Sequence, residues 1–145
     1  MVIQGVSILS DQCQGPVVWT DTPLSFWGGV DPQTGIIVDR HHPLCGTCIT
    51  NRVLVVPATR GSSTSSGVFL EMIRAKTAPV GIVTLQLDPV LALGAIIGEK
   101  LYQRSVVMLT VSSEGFERLK GCADVVLLAD ARIISDQNIE EAHSS

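Results

Sequence analysis

Residues 80–111 read VGIVTLQLDPVLALGAIIGEKLYQRSVVMLTV, and this stretch decides the fold class. The β-branched runs at its two ends predict strands at Val80 to Leu85 and at Ser105 to Val111. The apolar spacing between them predicts a helix from Pro89 to Tyr102. Asp88 suits the N-cap of that helix, and proline suits the first helical position. A strand, a helix and a second strand of buried character predict α/β layers.

Short β-branched runs of the same kind recur on both sides of this stretch. They predict further strands at Val2 to Ile8, Val17 to Trp19, Gly35 to Asp39, Arg52 to Pro57, Asp124 to Leu128 and Ala131 to Ile134. Helical spacing also appears between Gly67 and Pro79, and a short third helix is expected from Gly115 to Lys120. We expect one domain over residues 1–134, followed by a polar, acidic tail over residues 135–145.

The composition points to a folded domain that is partly covered by another chain. Of the 145 residues 46% are apolar and only 17% are charged, with a formal net charge of -4. This bias is opposite to that of disordered chains, which are poor in apolar residues and rich in like charge. The charged fraction is also below the roughly 25% of an average soluble domain. Part of the surface is therefore expected to be apolar and to associate with a partner.

The same composition argues against several classes of function and location. The ten basic residues are scattered over a net acidic chain, so we expect no nucleic-acid partner. No apolar run approaches the roughly 18 residues of a membrane span, and the N-terminus lacks the pattern of a signal peptide. The expected location is the cytoplasm, with no membrane association.

Cys45 and Cys48 form a Cys-x-x-Cys pair that follows two adjacent histidines. A structural zinc site needs further ligands that the sequence does not supply at a suitable spacing. A thioredoxin-type pair opens a helix, whereas this pair precedes a predicted strand. We expect all four cysteines to be reduced, Cys45 and Cys48 to be structural thiols, and no metal to be bound by this chain alone.

Residues 60–67 read RGSSTSSG and lie between a predicted strand and a predicted helix. Unpaired amides and the positive end of a helix dipole attract anions, so this arrangement is typical of a carboxylate or phosphate site. The lysine of a nucleotide-binding phosphate loop is missing, which does not support nucleotide triphosphate binding. A serine-rich helix cap without a ligand explains the same residues, because Ser and Thr are preferred N-caps.

Residues 22–35 place Phe26 and Trp27 beside a Gly-Gly pair and an Asp-Pro turn at Asp31. Glycines permit close backbone approach, and a residue before proline is held extended. The segment suits the wall of a site. It equally suits an ordinary turn with two aromatic residues anchored in the core.

Three segments together resemble the small subunit of aconitase X enzymes: PLSFWGGVDPQTG at 23–35, HPLCG at 42–46 and RGSS at 60–63. The resemblance continues in order and spacing through GAIIG at 94–98, so it covers most of the chain outside the tail. It implies an α/β fold, a swivelling β/α domain with a barrel-like sheet flanked by short helices. It also implies that this domain is fused to, or paired with, a much larger catalytic subunit.

The reaction that the resemblance implies is elimination of water from a hydroxy acid. It is assisted by iron or an iron-sulfur cluster that cysteines of the large subunit hold. The catalytic serine of the family falls on Ser62 here. An alkoxide at that position is a strong base, and helix amides together with Arg60 can stabilise its charge. The substrate-binding residues expected on this basis are Ser63, Arg60, Gly61, Asp31 and His42.

Two substrates are open at this point, because members of the family dehydrate cis-3-hydroxy-L-proline or, in archaea, phosphomevalonate. A phosphate site usually recruits more than one Lys or Arg, and the sequence shows no cationic cluster, which favours hydroxyproline. A hypothesis of another class is a non-catalytic assembly or anion-binding module that keeps the same fold and the same loop.

Overall fold

The computed structural model describes residues 1–60 and 63–135, which form ten strands and three helices. The strands are β1 (Val2–Gln4), β2 (Val6–Leu9), β3 (Cys13–Trp19), β4 (Leu24–Ser25), β5 (Val53–Val55), β6 (Thr59–Arg60), β7 (Gly81–Thr84), β8 (Val107–Thr110), β9 (Asp124–Leu127) and β10 (Arg132–Ser135). The helices are α1 (Ser63–Ala75), α2 (Pro89–Tyr102) and α3 (Ser113–Leu119). No helix of the described part is long and apolar enough to cross a membrane.

Eight of the strands form one sheet in the order β1-β10-β9-β3-β5-β7-β8-β2, and this sheet is nearly closed into a barrel. Its two edge strands, β1 and β2, are separated in the chain by Gly5 alone. β1 pairs with β10 and β2 pairs with β8, both antiparallel. The amide of Gly5 donates to the carbonyl of Ala131 at 2.9 Å. One bent segment of chain therefore serves both edges of the sheet.

The centre of the sheet is parallel, because β5 pairs with β3 and β7, and β7 pairs with β8, in the same direction. Helix α1 connects β5 to β7 by way of β6, and helix α2 connects β7 to β8. Such crossover connections place the carboxyl ends of the parallel strands at one end of the barrel, where sites usually form in sheets of this kind.

The apolar side chains form two layers, one on each face of the sheet. Strand β5 shows the alternation: Val53 and Val55 belong to the cluster inside the barrel, whereas Leu54 belongs to the cluster under α1 and α2. This is the period of two expected for a strand buried on both faces. Phe116 of α3 packs into the inner cluster, and its carbonyl accepts a hydrogen bond from the indole of Trp19 at 3.0 Å.

Helices α1 and α2 pack closely because glycines of α2 face α1. A Cβ atom at Gly94 would lie 2.9 Å from the carbonyl oxygen of Ser66, and one at Gly98 would lie 2.6 Å from the side chain of Ile73. Phe69 of α1 meets the ring of Phe26 edge to face, with centroids 5.3 Å apart. The first turns of both helices are thereby fixed relative to each other.

The α/β prediction is confirmed, and helix α2 has the predicted bounds with Asp88 as its N-cap. The strand predicted from Gly35 to Asp39 is wrong, since only isolated bridges from Ile36 to Cys48 and from Ile37 to Val30 occur there. Gly35 has a φ of +73° and closes a turn, which ends any regular extended run. Strands β4 and β6 were not predicted. Strand β10 includes Ser135, one residue beyond the expected boundary.

Replacing Gly5 with alanine tests the closure of the barrel. The new Cβ atom would lie 2.9 Å from the carbonyl oxygen of Thr110 and 3.2 Å from that of Ala131, so the chain at Gly5 must move away from β8 and from the start of β10. We expect a loss of about 1–3 kcal/mol in the free energy of unfolding, measured by urea denaturation.

Gly67→Ala is the matched control, because a Cβ atom there meets open space on helix α1. It should stabilise the protein by up to about 1 kcal/mol through helix propensity. Equal free energies of unfolding for the two variants would contradict the role given to Gly5.

Candidate active site

The candidate site begins where two short parallel strands end side by side. β4 pairs with β6 in the register Leu24 to Thr59 and Ser25 to Arg60. Phe26 and Trp27 follow β4 directly, and residues 61 and 62 follow β6. The strands therefore bring two of the three family-like segments to one place. Gly61 and Ser62 themselves lie outside the described residues.

Ser65, in the first turn of α1, joins these two segments through its hydroxyl group. The hydroxyl donates to the carbonyl of Arg60 at 3.1 Å and accepts from the amide of Trp27 at 3.4 Å. The residue is 1% exposed, so these contacts are shielded from water. Ser65 thus holds both ends of the loop that carries Gly61 and Ser62.

A second clamp connects β6 to helix α2. The hydroxyl of Thr59 donates to Oδ2 of Asp88 at 2.7 Å, and Oδ1 of the same carboxylate accepts from the amide of Leu91 at 3.0 Å. Thr59 and Asp88 are both buried. One carboxylate therefore caps α2 and also fixes the strand that leads into the loop.

The charges beside the loop favour an anion. Arg60 is exposed at the end of β6, and α1 begins at Ser63 without an acidic residue in its first turn. The amide groups of a helix N-terminus carry partial positive charge and lack partners within the helix. A guanidinium and these amides can together stabilise a carboxylate, a phosphate or an oxyanion.

Asp31 lies at some distance from this loop. Its backbone carbonyl accepts from the amide of Gly35 at 2.8 Å, and its carboxylate accepts from the amide of Gln33 at 2.9 Å, as in an ordinary turn. The neighbouring carbonyl of Pro32 accepts from Thr77, just beyond the C-terminal end of α1. The 13 residues of α1 span roughly 20 Å, so the structure does not bring Asp31 together with Ser63.

His42 is buried, and both nitrogens of its ring have partners within the chain. Nδ1 accepts from the amide of Leu44 at 3.1 Å, and Nε2 lies 3.2 Å from the carbonyl oxygen of Thr22. These contacts suit the neutral tautomer with its proton on Nε2. The imidazole holds the segment around Leu44 against the residues that lead into β4.

The described cysteines do not resemble a metal centre. All four are free thiols, and no group of three or more His, Cys, Asp or Glu side chains within residues 1–60 and 63–135 could hold a metal ion. A hydrogen bond with Thr50 lowers the pKa of the Cys48 thiol, whereas burial raises that of Cys13 to about 11. The donor set in this part of the chain therefore does not fit iron or an iron-sulfur cluster.

A cavity of about 440 Å³ lies away from the loop, between Asn51, Lys76, Val80 and Arg104. These residues are near the amino ends of β5, β7 and β8, whereas the loop that contains Ser62 follows the carboxyl end of β6. The surface around the loop is open, with Trp27 61% exposed beside it.

Sequence reasoning found the loop and missed the residues that hold it. Ser65 was part of the RGSSTSSG motif, and Asp88 was recognised only as a helix cap. The two-residue strands β4 and β6 were too short to show a hydrophobic period, and without them neither clamp could be placed. The role of Ser65 follows only from the pairing of β4 with β6, which places its hydroxyl between the carbonyl of Arg60 and the amide of Trp27.

The aconitase X swivel domain model matches residues 2–136. The chain is 40% identical over 127 residues to a cis-3-hydroxy-L-proline dehydratase of Pseudomonas aeruginosa, a match that covers 88% of this chain and 22% of that protein. It is 44% identical over 91 residues to a phosphomevalonate dehydratase small subunit of Methanopyrus kandleri, covering 63% and 67% of the two chains. The crystal structure of Thermococcus kodakaraensis aconitase X in its holo-form matches with a TM-score of 0.78 and 28% identity, over 93% of this chain and 98% of that chain.

Ser65→Ala tests the clamp on the loop. The variant leaves the amide of Trp27 and the carbonyl of Arg60 without their shared buried partner, which should cost about 1–3 kcal/mol in the free energy of unfolding. Thr64→Ala is the control, since Thr64 is the exposed neighbouring hydroxyl residue and should change stability by about 0.5 kcal/mol or less. Chemical denaturation measures both, and an unchanged Ser65→Ala protein would count against the clamp.

Proposed function

Because the chain belongs to the aconitase X swivel domain family, we propose that it is the small subunit of a hydro-lyase. In this proposal it works with a large subunit to eliminate water from a hydroxy acid, and the substrate is cis-3-hydroxy-L-proline. The chain spans about a fifth of the length of the Pseudomonas dehydratase that it matches. Most of that enzyme thus lies in sequence that this chain does not share.

The observation that carries the proposal is the arrangement of β6, the loop and α1. Arg60 stands at the end of the strand, the amides of α1 begin at Ser63, and Ser65 ties the loop to Trp27. A small-residue turn between a strand and a helix N-terminus is suited to binding an anionic group close to a reacting side chain. Ser62 occupies that turn in the sequence.

In the proposed mechanism Ser62 acts as the general base. Its alkoxide removes a proton from a carbon of the substrate, the electron pair of that bond forms the double bond, and the hydroxyl group leaves as hydroxide with the electron pair of its bond to carbon. The proton that Ser62 has taken up then passes to this hydroxide, which yields water and regenerates the alkoxide. Arg60 and the amides of α1, together with the amide of Gly61, stabilise the negative charge. Ser63 binds the substrate carboxylate and fixes its orientation.

The iron or iron-sulfur centre implied by the family would assist departure of the hydroxyl group, and we assign it to the large subunit. The described part of this chain lacks a suitable donor set, and its four cysteines are free thiols. The small subunit would therefore contribute the base and the anion site, while its partner would contribute the metal. A cytoplasmic enzyme without nucleic-acid or membrane partners remains our expectation.

Asp31 and His42 enter the proposal in a different role from Ser62. Direct contact of either side chain with the substrate stays a prediction of the sequence. The contacts that the two residues do make are structural: the turn at Asp31 is bound to Thr77 beyond the C-terminal end of α1, and His42 is hydrogen-bonded to the carbonyl of Thr22 shortly before β4.

The choice of substrate rests on charge and on extent of similarity. Arg60 is the cation next to the loop, and a phosphorylated substrate usually recruits more than one. The hydroxyproline dehydratase also matches 88% of this chain, against 63% for the phosphomevalonate dehydratase subunit. Phosphomevalonate is the second candidate, favoured by the higher identity of 44% in that shorter match.

Reconstitution tests the proposed function. The isolated chain should show no dehydratase turnover and no stoichiometric iron, because residues 1–60 and 63–135 contain no metal ligand set. Combined with an aconitase X large subunit of the same organism, it should dehydrate cis-3-hydroxy-L-proline, followed as loss of water by mass spectrometry. Turnover on phosphomevalonate instead would select the second candidate. A pair that acts on neither would support a non-catalytic anion-binding module.

Ser62→Ala and Ser63→Ala separate the base from the carboxylate contact in the reconstituted enzyme. Loss of the base should lower kcat about 100-fold to 10,000-fold. Loss of a neutral hydrogen bond at Ser63 should cost about 0.5–3 kcal/mol, mainly as a higher KM. Steady-state kinetics distinguish the two, and a larger loss of kcat at Ser63 than at Ser62 would make the catalytic assignment wrong.

A further inference from the structure

Helix α2 is apolar on nearly its whole circumference. One face, with Leu91, Ala92 and Ala95, is buried in the outer apolar cluster. The opposite face carries four exposed large apolar side chains: Leu93, Ile96, Ile97 and Leu101. Leu93 is 55% exposed and Leu101 is 60% exposed. A helix with apolar residues all round normally lies buried in a larger structure.

The exposed side chains form one continuous stripe, which we call the α2 stripe. Leu93, Ile97 and Leu101 are spaced by four residues, and Ile96 lies beside them at a spacing of three, so all four share a face. The charged residues next to the stripe are Glu99 and Lys100, which have opposite signs. A partner that covers the stripe is therefore bound by burial of apolar area and not by a charged field.

The N-terminal end of α2 adjoins the candidate site. Leu87 is 55% exposed immediately before the N-cap of α2, and Asp88 links that cap to Thr59 of β6. Trp27, whose amide donates to Ser65, is also exposed. A protein that completes the proposed site would thus meet exposed apolar side chains beside the start of α2.

We propose that the large subunit of the enzyme docks on the α2 stripe and on Leu87. This inference rests on the proposed function. Its occupant is argued from the relatives: the matched part is only 22% of the Pseudomonas dehydratase, so a domain of this kind there shares a chain with a much larger remainder. The Methanopyrus protein of similar length is named a small subunit. The α2 stripe and Leu87 expose more apolar area than a separate domain requires, and they adjoin the proposed site. The large subunit would cover this area.

A pair of lysine substitutions tests the surface in the complex. Leu93→Lys combined with Leu101→Lys places two charges in the stripe without changing a buried residue, and lysine retains good helix propensity. The matched control is Val2→Lys combined with Val6→Lys, since both valines are exposed, at 49% and 68%, on β1 and at the first residue of β2. The residues of β2 that lie beside Glu99 of α2 are Ile8 and Leu9, at the other end of that strand. Thermal denaturation of each isolated variant checks that the fold is unchanged.

The readout is a titration of the large subunit with each small-subunit variant, followed by binding and by turnover. The stripe variant should raise the Kd and the half-saturating concentration of small subunit by about 30-fold or more, as expected for residues central to an interface. At saturation its turnover should equal that of the wild-type pair, because the residues of the candidate site are unchanged. The control should bind as the wild type does.

Four outcomes overturn the proposal. Unchanged binding by the stripe variant, with normal turnover of the wild-type pair, refutes the surface and leaves the proposed function standing. Equal weakening by the control variant assigns the loss to added charge alone. A concentration-dependent dimer of the isolated chain that the stripe variant abolishes, measured by sedimentation, identifies a second copy as the occupant. Absence of any complex with the wild-type chain refutes both this inference and the proposed function.

Discussion

The close approach of the chain to itself at Gly5 is the constraint on which the rest of the structure depends. A side chain there would meet carbonyl oxygens of both neighbouring segments, so only glycine lets β1 and β2 serve opposite edges of one sheet. The bent segment pairs with β10 on one side of Gly5 and with β8 on the other, and the resulting sheet encloses the inner apolar cluster. The helices are then left on the outside, where α1 and α2 cover the second face of the parallel strands.

This arrangement accounts for the position of the candidate site. Crossovers through α1 and α2 bring the N-termini of both helices to the carboxyl end of the parallel strands. Ser65 and Asp88 then tie these two N-termini to β6 and to the aromatic segment that follows β4. These hydrogen bonds fix the residues on both sides of Gly61 and Ser62. In the proposed function this chain supplies that half of the site, and the large subunit supplies the rest.

The sequence predicted the parts of the fold that depend on local pattern. The helix from Pro89 to Tyr102 was found with its cap, because apolar period, Asp88 and Pro89 all agree. The strand expected from Gly35 to Asp39 is wrong, since Gly35 closes a turn with a positive φ and the apolar residues after it make only isolated bridges. The barrel-like sheet was expected only because of the family resemblance. Pattern alone does not show that residues on the two sides of Gly5 pair with strands more than 100 positions apart. A turn between a strand and a helix N-terminus could be predicted from RGSSTSSG, whereas its two clamps depend on contacts between distant segments.

The two ends of the described chain lie side by side, and this bears on how the domain can be joined to others. The amide of Ser135 donates to the carbonyl of Met1 at 3.1 Å, and β1 and β10 are antiparallel neighbours. A polypeptide that enters β1 and one that leaves β10 would therefore lie close together at the same end of these strands. Fusion to another domain at either end, or separation into an independent gene product, leaves the hydrogen bonds of the barrel unchanged. The geometry is thus compatible with a family that includes both long single-chain enzymes and separate small subunits.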